Sequence, residues 1–151
     1  MILSVLRYVP GSRERSQEYR VEAKPGMTVL DALVEVQRAQ DPTLAFRYAC
    51  RVGMCGSCAM VVNGRERWAC RTLLASLGSR SITVRPLYHF PLIRDLVVDM
   101  APFSAKMRQV SAAFLPRPEG TPAAPPQCER ALIDQAIECI GCGACLSACT
   151  M

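Results

Sequence analysis

Residues 50–70 read CRVGMCGSCAMVVNGRERWAC, and the placing of four cysteines in this stretch decides how the chain is read. Cys50, Cys55 and Cys58 follow one another at gaps of four and two residues. Residues 58–70 then read as a hairpin around Asn63-Gly64, a strong two-residue turn signal. If Val62 faces Arg65 across that turn, Cys58 faces Ala69 and Cys70 returns beside the Cys55–Cys58 loop. The hairpin thereby delivers a fourth thiolate to the place where three others wait. Gly53 and Gly56 give the loop left-handed freedom and let backbone N–H groups approach sulfur.

Thiolates are soft anionic ligands that suit ferric iron and sulfide, and four of them complete a two-iron core. The gaps of four and two are those of plant-type [2Fe-2S] sites. Arg47 and Arg51, beside such a core, would favour its reduced state, although loop arginines are more often simply solvated. A structural zinc site is the competing reading, but zinc knuckles prefer paired C-x2-C clamps. A Cys–His nucleophile is weaker still, because His89 is the sole histidine and no serine or cysteine sits in a hydrolase-like motif. Met60 and Trp68, on the hairpin, are expected to be core residues.

A second run has a different spacing: Cys139, Cys142, Cys145 and Cys149 lie at gaps of two, two and three. In two-cluster bacterial ferredoxins the first three such cysteines bind one cubane and the fourth crosses to another. Cys139, Cys142 and Cys145 would then hold a [4Fe-4S] core, and Cys149 would begin a third site. Neither set is complete. Cys128 is the one spare thiol and is expected to be a free cysteine. This short module also has too few residues to bury a core, so the sequence is expected to be a C-terminally truncated piece of a longer chain.

Around these motifs, half of the 151 residues are hydrophobic, enough for a packed core. Nine cysteines fall below the density of a disulfide scaffold and suit thiols kept for metal in a reducing compartment. The opening residues show no secretory signal, and no apolar run is long enough to span a membrane. The net charge of +5 comes from scattered arginines, which argues against nucleic-acid binding and leaves room for an acidic protein partner.

Residues 2–9 and 17–23 read as strands, and Thr28 opens a helix with Asp31 in the capping-box position. Val29, Leu30, Leu33, Val34 and Gln37 form its inner face, and Asp41-Pro42 stops it. A helical turn over 71–77 and a closing strand over 81–87 complete an α+β domain of β-grasp type. From Leu92 to about Phe114 the pattern reads as helical, broken near Pro102. A Pro-rich connector covers 115–127, and a short amphipathic helix covers 129–138.

With these residues in view, the chain resembles the iron–sulfur subunit of succinate dehydrogenase and fumarate reductase. FRYACRVGMCGSCAMVVNGRERWACRT matches that family's two-iron site, including the short gap from Cys58 to Cys70. PLIRDLVVDM is similar to the family's connection between its halves, and CIGCGACLSAC to its first cubane run. One departure is Thr150, which stands where a proline usually follows the last cysteine.

The resemblance implies an N-terminal β-grasp plant-type [2Fe-2S] ferredoxin domain (1–91), a helical connection and linker (92–127), and the start of an α-helical bacterial-ferredoxin domain (128–151). It implies Cys50, Cys55, Cys58 and Cys70 as ligands of [2Fe-2S], Cys139, Cys142 and Cys145 of [4Fe-4S], and Cys149 of [3Fe-4S], the last two clusters only in a full-length chain. The implied role is non-catalytic electron transfer in a succinate:quinone or fumarate:quinone oxidoreductase of the respiratory chain and tricarboxylic acid cycle. Its partners would be an FAD-bearing flavoprotein and membrane anchor subunits with quinone, holding it at the cytoplasmic face of the inner membrane. A free ferredoxin, or the electron-entry subunit of another flavoprotein, is the alternative within redox chemistry. A zinc-bound interaction module is the alternative outside it.

Overall fold

The computed structural model describes residues 1–110, 120, 131 and 134–150. Its first strand, β1 (Ile2–Arg7), buries Leu3, Val5 and Leu6 and pairs antiparallel with β2 (Arg15–Arg20). Thr28 caps α1 (Val29–Ala39) as expected: its hydroxyl accepts from the Asp31 N–H, and the Asp31 carboxylate accepts from the Thr28 N–H. Such a cap stabilises a helix by about 1 kcal/mol. The helix buries Val29, Leu30, Ala32, Leu33 and Val36; of the expected inner face, Val34 and Gln37 are only half-buried.

Strands β3 (Ala59–Val62) and β4 (Arg65–Trp68) form the expected hairpin, with Val62 opposite Arg65 and Ala69 N–H bonded to the Cys58 carbonyl. Short 3-10 turns at Ala69–Arg71 and Leu74–Leu77 lead to β5 (Ser81–Arg85). The sheet order is β2-β1-β5-β3-β4, so β5 enters the middle, parallel to β1 and antiparallel to β3. The core is one layer of contact: α1 packs its apolar stripe on Leu3, Val5, Met60, Val62, Ile82 and Val84. This is the β-grasp arrangement that the sequence indicated. Met60 is fully buried and Trp68 partly so, both packed in this core.

The expected helix from Leu92 is corrected by the structure. Residues Leu92–Arg94 (β6) and Val97–Val98 (β7) form a small antiparallel ribbon, turned by Asp95 at φ +47°. Its apolar residues mimic helical spacing, but the buried Asp95 carboxylate accepts three hydrogen bonds, from the Arg7 side chain and from the Tyr8 and Ala45 N–H groups, which ties this turn to two separate segments of the chain. Helix α2 (Ala101–Gln109) follows, and Pro102 sits in its first turn rather than breaking it. That position lacks an intrahelical acceptor, so the missing N–H is harmless there.

The connector at 115–127 lies outside the described residues except for Gly120, as do 111–114 and Cys128. Helix α3 (Asp134–Ile137) falls inside the expected helix at 129–138. Helix α4 (Ala144–Ser147) lies within the second cysteine run. Among the described residues no helix is long and apolar enough to cross a membrane.

Candidate metal centre

The first cysteine loop is anchored from below by a buried ionic cluster. Arg7, on β1, donates through Nε to Asp95 Oδ1 at 2.9 Å and through its other nitrogens to Asp41, Thr43 and Tyr19. Asp95, fully buried, also accepts from the N–H groups of Tyr8 and Ala45 at 3.0 and 2.9 Å. The chain from Asp41 to Ala45 is thereby fixed immediately upstream of Cys50. Arg47 continues the tie by donating to the Val98 carbonyl at 2.9 Å.

Charge and hydrogen bonding within this cluster favour its ionised form. Burial alone would push Arg7 down, yet bonds to Asp95, Asp41 and Tyr19 hold its guanidinium above the ordinary value. The Asp41 carboxyl is held well below the usual range, first by the Thr43 hydroxyl, then by Tyr19 and, against burial, by Arg7. Burial, with the Asp41 carboxylate beside it, pushes the Tyr19 phenol up to about 12.

Above this base the four cysteines of the first run come as two neighbouring pairs. Cys50 and Cys55 are hydrogen-bond neighbours, and the Met54 and Cys55 N–H groups both donate to Cys50 Sγ at 3.3 Å. Cys58 and Cys70, both buried, contact each other through backbone and side chain. The Cys55 and Cys58 thiols interact electrostatically, linking the pairs. Among the described residues, no three His, Cys, Asp or Glu side chains converge as a single-ion site requires. None of the described cysteines is in a disulfide.

The two pairs differ electrostatically. The Ser57 hydroxyl, then hydrogen bonds involving Cys50, bring the Cys55 thiol down to about 6. Burial raises that of Cys58 to about 11; a backbone hydrogen bond at Cys70 opposes the rise, and the Cys70 and Cys55 thiols add to it. A bound cation beside Cys58 would reverse that penalty, since coordination deprotonates a thiol outright. Backbone freedom is used where the sequence placed it: Gly53 and Gly56 have φ of +79° and +68°. The aliphatic stem of Arg71 lies over Gly53, closing the loop against the segment that carries Cys70. Arg51 instead stacks over Tyr48, 5.0 Å from the ring centroid.

The second run leans on this assembly. Cys139 and Cys145 are exposed, whereas Cys142 and Cys149 are half-buried. A Cβ built on Gly56 would lie 2.4 Å from Cys142 Cβ, so the two loops touch at a position that only glycine leaves open. Gly143 is buried against the Phe90 ring and Met100. Ser147 donates to Glu66 at 2.7 Å and accepts from the Tyr88 N–H at 2.9 Å. His89 Nε2 meets the Cys149 carbonyl at 3.0 Å, which makes it a donor to backbone rather than a base for a thiol.

Sequence reasoning missed Arg7, Asp95, Arg71 and Ser147. A strand-end Arg with a distant Asp leaves no local signal, because their side chains meet only after the sheet forms.

A four-cysteine loop on a β-grasp sheet defines the ferredoxin class of iron–sulfur domain, and the comparisons agree. Residues 2–105 match the family described as 2Fe-2S iron-sulfur cluster binding domain, and the chain belongs to that family. Its relatives are iron–sulfur subunits of succinate dehydrogenase and fumarate reductase. It is 39% identical over 150 residues to succinate dehydrogenase [ubiquinone] iron-sulfur subunit 1, mitochondrial, of Oryza sativa subsp. japonica, covering 93% of this chain and 51% of the relative. It is 34% identical over 157 residues to the fumarate reductase iron-sulfur subunit of Wolinella succinogenes, covering 99% and 66%. Among solved structures, it matches a chain of the Mycobacterium smegmatis Sdh1 complex in the apo form with a TM-score of 0.83 and 34% identity, over 98% of this chain and 62% of that one. The chain thus spans about half to two thirds of the length of these relatives. Zinc gives way to [2Fe-2S] as the group this domain family binds.

Proposed function

We propose that this chain is the electron-transfer iron–sulfur part of a succinate:quinone or fumarate:quinone oxidoreductase, carrying single electrons between a flavoprotein and membrane quinone. The observation that carries the proposal is the pairing of the first four cysteines on a family-typical fold. Cys50 and Cys55 would hold one iron, and Cys58 and Cys70 the other. Two cysteine pairs suit a two-iron core, where each metal takes two protein thiolates. The core would supply reversible one-electron exchange.

This chain's residues do the rest. The Met54 and Cys55 N–H groups, aimed at Cys50 sulfur, would stabilise added negative charge and raise the potential. The buried Arg7–Asp95 base keeps the loop from rearranging as charge changes above it. Cys139, Cys142 and Cys145 would serve a [4Fe-4S] centre and Cys149 a [3Fe-4S] centre, each completed by further ligands. By the same reading, 1–91 is the two-iron domain, 92–127 the connection, and 128–151 the opening of the second domain. The dicarboxylate chemistry would belong to an FAD-bearing partner. Attachment to the cytoplasmic face of the inner membrane would run through anchor subunits.

Iron and acid-labile sulfide analysis, with EPR of the reduced protein, tests the proposal. Equal iron and sulfide with a two-iron signal is expected, and Cys70→Ser should diminish or shift that signal because serine oxygen is a poor partner for a soft core. Zinc without sulfide, or an unchanged signal in Cys70→Ser, would refute the ligand assignment. Native purification free of any flavin-bearing chain would refute the oxidoreductase assignment.

A further inference from the structure

Electron exchange between two centres weakens steeply as they separate, so whatever sets the contact between the two cysteine runs sets their communication. That contact is unusually bare. Gly56, in the first loop, faces Cys142 of the second with no side chain between them: an added Cβ would meet Cys142 Cβ at 2.4 Å, Cys142 Cα at 3.2 Å and Ile140 Cδ1 at 3.2 Å. Two of these are the root of a proposed ligand and its backbone, which cannot swing aside as a flexible tip would. Beside the contact lies a cavity of about 240 Å³, walled by Arg47, Cys55, Leu96, Gly141 and Cys142.

The second run is also clamped. Ser147 is buried at 2% exposure and bridges Glu66 on β4 to the Tyr88 backbone N–H. A serine so buried, with its hydroxyl both donating and accepting, fixes α4 in one position relative to the sheet.

We propose that Gly56 and Ser147 are positioning residues for electron transfer: Gly56 lets the Cys142 turn rest directly on the first cysteine loop, and Ser147, through Glu66 and the Tyr88 N–H, holds it there. This rests on the reading that both runs carry iron–sulfur centres. Neither residue touches a reacting atom. In the step they support, one electron leaves one centre and arrives at the other, with no bond made or broken.

The test uses the complete encoded chain in its native complex, reduced with dithionite. The readout is the spin-relaxation enhancement that the reduced second centre imposes on the first centre's EPR signal. Ser147→Ala should leave iron, sulfide and the first centre's g-values intact while weakening that enhancement several-fold. Glu66→Gln, which keeps an oxygen acceptor for the Ser147 hydroxyl, should remain near wild type, and Glu66→Ala should follow Ser147→Ala. Gly56→Ala should also lose enhancement per assembled first centre. Gly53→Ala is its control, carrying the same positive-φ strain but meeting only the movable Arg71 side chain. Wild-type enhancement in Ser147→Ala, or equal losses in Gly53→Ala and Gly56→Ala, overturns the proposal. If Gly56→Ala fails to assemble its first centre, Ser147→Ala alone decides. A wild-type complex lacking iron and sulfide would instead defeat the underlying reading, before any variant is compared.

Discussion

The two cysteine groups of this chain are supported in opposite ways. Cys50 to Cys70 stand on a sheet, a helix and a buried Arg7–Asp95 pair, all formed by residues close around them in the fold. Cys139 to Cys149 are positioned by contacts with residues some sixty to eighty positions earlier: Ser147 with Glu66 and Tyr88, His89 with Cys149. The difference teaches that cysteine spacing and cysteine support are separate properties. A motif as short as the second run can specify its turns locally, yet it leans on distant residues of the chain to hold still.

The largest effect expected from breaking this comparison comes at the base of the first group. Asp95→Ala leaves the Arg7 guanidinium buried with one partner fewer and orphans two backbone N–H groups, which should cost about 3–5 kcal/mol. Denaturant unfolding should show that loss, and both cysteine groups should fail together because the second depends on the first. Gly143→Ala probes the opposite dependence. Its Cβ would press to 2.7 Å from the Phe90 ring at φ +76°, a strain of about 1–3 kcal/mol. Amide exchange over 144–149 should accelerate while exchange in β1 and β5 stays unchanged. Equal acceleration in both regions would show that the two groups share one cooperative unit.

A smaller effect belongs to the helix that backs the sheet. Thr28→Ala removes the cap and should lower stability by about 1 kcal/mol, read from the unfolding midpoint, without altering the proposed two-iron spectrum. The last effect, read as a slope rather than a loss, concerns Asp41. Its folded carboxyl is held below the ordinary value, so its contribution is fully present above about pH 4 and drains away as pH falls further. Acid unfolding of the metal-free protein should therefore be less steep in Asp41→Asn than in wild type. A slope equal to wild type would mean that Thr43, Tyr19 and Arg7 do not hold the Asp41 carboxyl low.

Much of the first region was legible because its signals are local. Asn63-Gly64 fixes the hairpin register, and the register fixes where Cys70 lands relative to Cys58. Thr28 and Asp31 announce the start of α1 three residues apart. The failures were of the other kind. Leu92, Leu96 and Val97 show helical spacing, but Asp95 is drawn into a left-handed turn by Arg7 across 88 positions of sequence, and no window contains both. Ser147, a small residue inside a cysteine run, carries no local signal; only its placement against β4 reveals why it is buried.

That placement has a consequence for the sheet itself. Strand β4 is one of its two outer strands, and such strands offer unpaired backbone groups on which another chain can polymerise. Helix α4 packs against β4, so the segment carrying the second cysteine run also guards this flank against strand-to-strand aggregation. At the other flank, β2 achieves protection differently, with Arg15, Glu18 and Arg20 along its length.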